Sequence, residues 1–197
     1  MKKVAITGGI ATGKSSILQY IMMKGYVVYS SDSLAHDILR NEGKEDVLKE
    51  FGRDILGDNG EINRSLLGKI VFNDLDKLNK LNMIIHPFVR KRIEGIIKAN
   101  PDLNIIFFEV PLLFEARMED MFDVSINIYC DIDTQIKRIV ERDNRSIEDA
   151  LNIIKNQMGT VERNKKATYS IDNTNDLEDT KKLIDKIIEE VLSNETK

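Results

Sequence analysis

Gly8, Gly13, Lys14 and Ser15 stand at the spacing Gly-x4-Gly-Lys-Ser within the run "VAITGGIATGKSS". Glycines so placed let the backbone turn until successive N–H groups point inward, while the lysine and hydroxyl supply a cation and a metal ligand. The chemistry this suits is the grip of a polyphosphate. Gly8, Gly9, Ile10, Ala11, Thr12, Gly13, Lys14, Ser15 and Ser16 would form the cradle, with Lys14 reaching the β- and γ-phosphates and the Ser15 hydroxyl holding Mg²⁺. A glycine-rich turn with a chance Lys-Ser is the competing reading. The strand-like run before the motif and the helix-like run after it are the context the phosphate reading requires. The motif specifies a nucleoside triphosphate and leaves the acceptor of the phosphoryl group open.

Other residues could act beside it. Asp32, just past "YVVY", could orient an acceptor hydroxyl and take its proton, if a strand neighbouring the cradle strand ends beside the γ-phosphate; equally, it could cap the helix that follows. Glu109, at the end of "NIIFFEV", could organise a metal or cap the next segment. Arg138, Arg142 and Arg145 are spaced i, i+4, i+7, so a continuous helix would align them to clamp phosphates, or merely to pair with Glu141. His86 precedes Pro87, where torsions are pushed away from helical values, and reads as a hydrogen-bonding residue at a helix break.

The elements that must position these groups read as an alternation. Short β-branched or aromatic runs at 4–7, 26–29, 104–110, 124–130 and 168–172 have the character of buried parallel strands. Helical spacing lies between them, from Lys14 to Lys24 with Ile17, Leu18 and Ile21 inward and Met22 and Met23 as core filler. A last helix from about Asp176 would bury Leu183, Ile184, Ile187, Ile188, Val191 and Leu192. Strand alternating with helix predicts a parallel sheet with helices on both faces. Residues 30–103 are too long for a plain crossover and read as a helical insertion, with "DNGEIN" as a turn and "RSLLGKIVFNDLDKLNKLNMII" as helices.

Composition narrows the class of protein. At 197 residues, with 42% hydrophobic and 31% charged, the chain can bury a full core without staples. A net charge of −4 argues against gripping a nucleic-acid backbone as the main task. No apolar run approaches the roughly 20 residues of a membrane span, and the single Cys130 reads as a buried strand residue in a reducing compartment. A cytoplasmic globule is expected.

Taken together, "TGGIATGKS", "SSDSLAHDI", "LNMIIHPFV", "FEVPLLFE", "QIKRIVERD" and, more weakly, "IDNTND" resemble the dephospho-coenzyme A kinase family. The resemblance implies a three-layer α/β P-loop NTPase fold similar to nucleoside monophosphate kinases, with a five-stranded parallel sheet, a helical acceptor-binding insertion and a lid. It implies transfer of the γ-phosphoryl of ATP, with Mg²⁺, to the ribose 3′-hydroxyl of dephospho-CoA. On this footing residues 1–32 and 100–197 form the nucleotide-binding core, about 142–166 the lid and 33–99 the insertion. Asp32 matches the catalytic carboxylate and Arg142 a family position, here a catalytic lid arginine; Arg138, on the same stripe, is assigned to nucleotide binding. His86 with Pro87 matches the acceptor-domain signature, and Leu112, Leu113, Phe114 and Glu115 match the acceptor-site wall. The chain departs in carrying Ser30-Ser31-Asp32 where Asp-Ala-Asp is common, His36 for an arginine, Ala11 for the commoner Gly or Ser, and Ser16 for Thr. A guanine-nucleotide switch would need an Asn-Lys-x-Asp after the fourth strand, and none is present.

Overall fold

A computed structural model describes residues 1–71 and 74–193. Phe72 and Asn73, inside the segment read as helices, and residues 194–197, at the end of the core assignment, lie outside the described residues. The chain divides into two compact units, Met1–Tyr29 with Asp102–Lys197, and Ser30–Pro101.

The first unit is built on a five-stranded sheet of β1 (Lys2–Thr7), β2 (Val28–Ser30), β3 (Ile105–Glu109), β4 (Val124–Tyr129) and β5 (Tyr169–Asp172) in the order β2-β3-β1-β4-β5. β1 pairs in parallel with β3 and β4, and β4 with β5, so the first strand made is the central one. The side chains alternate as a doubly covered sheet requires. Val4, Ile6, Ile105, Phe107, Ile126 and Ile128 pack on one face with Ile17 and Ile21 of α1 (Lys14–Met23) and Ile184, Ile187 and Ile188 of α9 (Leu177–Ser193). On β3, the intervening residues Ile106 and Phe108 are equally buried, with Phe108 stacked on Tyr29 at 5.7 Å. The remaining helices of this unit are α6 (Ile132–Asp143), α7 (Ile147–Lys155) and α8 (Thr160–Lys166).

Three expectations are corrected here. Met22 and Met23 are 51% and 80% exposed, because Ile17, Leu18 and Ile21 already define the inward face and the next two residues rotate off it. Leu183 is likewise exposed at the flank of the α9 stripe. The arginine alignment is also cut short. Asn144 takes a left-handed conformation (φ 51°) that ends α6, and Ser146 caps α7, so Arg145 belongs to neither helix.

The second unit is helical: α2 (Ser31–Arg40), α3 (Lys44–Phe51), α4 (Arg64–Val71) and α5 (Leu75–Ala99). Residues 58–63 turn as expected, with Leu56 bridged to Ile62. The expected break before Pro87 is absent, and α5 runs through it. Proline removes the donor to the carbonyl four residues earlier; that carbonyl is Met83's, on a residue 76% exposed, where water can take it. Ile85, Val89 and Ile93, one and two turns apart, hold the helix by its buried face.

Candidate active site

The cradle occupies the turn from β1 into α1. A Cβ on Gly8 would run into the Ile128 carbonyl oxygen, and one on Gly13 (φ 86°) into the Asn173 amide, so both positions exclude any larger residue. Ala11 also has positive φ, at 57°, which turns successive peptides in the way an anion nest needs. Gly13 is the N-cap of α1 and brings no side chain to its first N–H groups, which leaves the positive end of the helix open. Among the described residues, the N–H groups of Ala11, Thr12, Gly13, Lys14 and Ser15 donate to no protein acceptor. Ser15 and Ser16 are exposed at the helix start.

Lys14 Nζ lies 3.0 Å from Glu109 Oε1, with only 12% and 21% of the two side chains exposed. The register Ile6↔Glu109 explains the pairing: β3 adjoins β1 and ends beside the cradle. β2 is separated from β1 by β3, so the strand neighbouring the cradle strand delivers Glu109 rather than Asp32.

The cradle backbone is held by side chains remote in sequence. Gln135 Nε2 donates to the Ile10 carbonyl and the Ile10 N–H donates to Gln157 Oε1, both at 2.8 Å. Arg138 donates to the Ala11 carbonyl at 3.2 Å and to the Asn173 carbonyl at 3.0 Å, and Asn173 Nδ2 donates to the Thr12 carbonyl at 2.8 Å. Arg163 is buried, donates to Glu115 Oε1 at 2.7 Å, and lies against Gly9; its Nε is buried without a partner among the described residues. Gln135, Gln157, Arg163 and Asn173 were missed as site residues. For Asn173 and Gln135 a signal existed in "IDNTND" and "QIKRIVERD"; Gln157 and Arg163 carry none that spacing could reveal, because each meets residues far along the chain.

The other candidates stand as follows. Arg142 makes a bidentate pair with Asp143 (Nε–Oδ1 and Nη2–Oδ2, both 2.8 Å), which holds the Asp143 carboxyl below its ordinary range. Leu113 and Phe114 are buried in the first unit, Leu112 points outward, and Glu115 also accepts from the Met158 N–H at 3.3 Å. Cys130 is buried, and desolvation raises its thiol to about 11, which makes it inert as a nucleophile at neutral pH.

In the helical unit, Asp32 is the second residue of α2, whose N-cap is Ser30. The helix begins earlier than expected, so Asp32 is not its cap residue. Its carboxylate sits in the first turn, where negative charge is favoured. His86 is half-buried on α5, and desolvation, then the Arg90 charge, lower its pKa from 6.5. A groove of about 490 Å³ in this unit is lined by Phe88, Lys91, Gly95 and the ion pair of Arg92 with Glu42.

Comparison with known proteins identifies the family. The profile of the family described as dephospho-CoA kinase matches residues 2–179. The dephospho-CoA kinase of Fusobacterium nucleatum is 40% identical over 189 residues, covering 95% of this chain and 97% of that protein. The solved dephospho-CoA kinase of Campylobacter jejuni is 30% identical with a TM-score of 0.73, covering 98% of each chain. A solved structure from Thermus thermophilus is 29% identical with a TM-score of 0.82, covering 96% of this chain and 97% of that one. With a profile spanning nearly its whole length and the phosphate cradle in place at its N-terminal turn, the chain belongs to the dephospho-CoA kinase family.

Proposed function

We propose that the protein transfers the γ-phosphoryl group of ATP to the ribose 3′-hydroxyl of dephospho-CoA, giving ADP and coenzyme A, the last step of CoA synthesis. The observation that carries this reading is the cradle itself: five successive N–H groups without protein acceptors among the described residues, at the open end of α1, with Lys14 beside them. Such an array suits the β- and γ-phosphates.

On arrival of ATP, Lys14 exchanges Glu109 for the phosphate oxygens. The residues fit Mg²⁺: the Ser15 hydroxyl, exposed at the helix start, would hold it, with the nearby Glu109 carboxylate in support. Mg²⁺ keeps several waters and binds chiefly through phosphate, so one hydroxyl and one nearby carboxylate suffice. When bound, it neutralises charge on the β- and γ-oxygens. Arg142, already in bidentate geometry on a carboxylate, exchanges Asp143 for the transferring phosphoryl group. Asp32 aligns the acceptor hydroxyl and takes its proton late, since the transition state is loose and positioning carries most of the rate. In the helical unit, residues 33–99 with His86 bind the acceptor; in the sheet unit, Leu112, Leu113, Phe114 and Glu115 serve as substrate-binding residues, and about 142–166 act as a lid that excludes water. Arg138 contributes through the cradle backbone it already holds. No helix of the described residues is long and apolar enough to cross a membrane, and a cytoplasmic site of action suits the lone thiol.

Incubation with Mg-ATP and, separately, dephospho-CoA, several nucleoside monophosphates or water tests the reading, with ADP and phosphorylated product measured. Phosphorylation of dephospho-CoA in preference to the others is expected. ADP release independent of any acceptor would sink the kinase reading, and preference for a nucleoside monophosphate would sink the acceptor assignment.

A further inference from the structure

A trans peptide holds its C=O and the following N–H antiparallel. Whatever binds a carbonyl on one side therefore aims the next residue's N–H toward the other. Three consecutive cradle carbonyls are bound in this way: Ile10 by Gln135, Ala11 by Arg138 and Thr12 by Asn173. The N–H groups so aimed are those of Ala11, Thr12 and Gly13, which find no protein acceptor among the described residues. Gln135 and Arg138 are three residues apart on α6 and so project from one face of it. Asn173 follows β5 and is itself gripped, since the Thr180 hydroxyl on α9 donates to Asn173 Oδ1 at 2.9 Å. Gln135, Asn173 and Thr180 are all nearly fully buried.

We propose that Gln135, Arg138 and Asn173 are positioning residues that hold the cradle in its phosphate-receiving shape before nucleotide arrives, and that Thr180 acts on the phosphates through Asn173 and Thr12. The inference rests on the cradle reading above and extends it to a residue on the last helix. Gln157 adds a second hold on Ile10 by taking its N–H, which excludes that group from the anion-binding set.

The test uses the full chain and inorganic tripolyphosphate with Mg²⁺, which probes the cradle without an adenine or an acceptor. Affinity is measured by calorimetry, and the ³¹P shift of the β-phosphorus of bound ADP reports on cradle geometry. Thr180→Val keeps shape and removes the hydroxyl; Gln135→Met keeps length and removes the donor; Asn173→Asp replaces the donor by an acceptor facing a carbonyl. Tripolyphosphate affinity should fall about threefold to tenfold in the first two variants and tenfold or more in the third, a size set by single hydrogen bonds. The β-phosphorus shift should move in each. Thr180→Val added to Asn173→Asp should weaken binding little further, because both break one relay. Lys137→Ala, on the exposed face of α6, should match the unaltered protein. Lower melting temperatures with affinity and shift unmoved in the folded variants would overturn the proposal in favour of a merely structural role. If Asn173→Asp does not fold, Thr180→Val and Gln135→Met decide alone. Failure of the unaltered protein to bind tripolyphosphate would instead overturn the cradle reading.

Discussion

Lys14 and Glu109, 3.0 Å apart and largely buried, form an ion pair beside the cradle. Removing one partner of such a pair leaves the other charge uncompensated. Lys14→Ala is therefore expected to weaken transition-state stabilisation by roughly 3 kcal/mol, read as kcat/KM for ATP; full activity would discredit the role of the lysine. Asp32, in the first turn of α2, carries the proposed proton-accepting role. Asp32→Asn should lower kcat about a hundredfold or more with ATP affinity nearly intact, whereas unchanged kcat would reduce the residue to a helix-dipole partner. His86 makes a pH prediction. Burial and Arg90 depress its folded pKa below 6.5, so between the two values the unfolded chain binds the proton more readily. Its contribution to stability is complete above the unfolded pKa and is lost as pH falls through the folded one. His86→Gln should flatten the decline of melting temperature between neutral pH and about pH 5, and an unaltered slope would show that other groups set it. At this scale the cradle was legible, because four residues within eight positions define it. Gln157 and Arg163 were not, because they meet Ile10 and Glu115 only after the chain has folded back on itself.

Helix phase decided which elements were read well. The α9 stripe of Ile184, Ile187, Ile188 and Val191 was recognised because its period persists over two turns, whereas Met22 and Met23 were judged by residue type although Ile21 had already set the phase. Strand positions emerged within a residue or two, since β-branched runs flanked by turns suit doubly buried strands. The break expected at Pro87 failed for a different reason. Local torsional preference pointed one way, and the buried face of α5 outweighed it. Pro87→Ala restores a donor to Met83 and should raise stability by about 1 kcal/mol or more in urea unfolding. A loss of stability would mean that the ring packs better than an alanine and its backbone can.

The cradle with all its backbone tethers, and the core cluster on the α1/α9 face of the sheet, belong to the sheet unit. Two core truncations should therefore have different functional costs. Phe107→Ala, fully buried on β3, should cost roughly 3–5 kcal/mol and abolish nucleotide binding with it. Ile93→Ala, fully buried in the helical unit, should cost about 2–5 kcal/mol while the folded fraction still binds tripolyphosphate like the unaltered chain. Equal loss of binding in both would show that the cradle depends on the helical unit. The strand order has a further consequence, for biosynthesis. β1 leaves the ribosome well before its two neighbours, which begin only at Ile105 and Val124. At typical synthesis rates that delay is roughly 5–20 s. Throughout it the nascent chain carries an apolar strand with both edges unpaired, and a phosphate loop whose tethers have not been made. The helical segment can form meanwhile from contacts between near neighbours in sequence. The chain thus completes its helical unit before β1 finds a sheet, and its dependence on chaperones should be greatest in that interval.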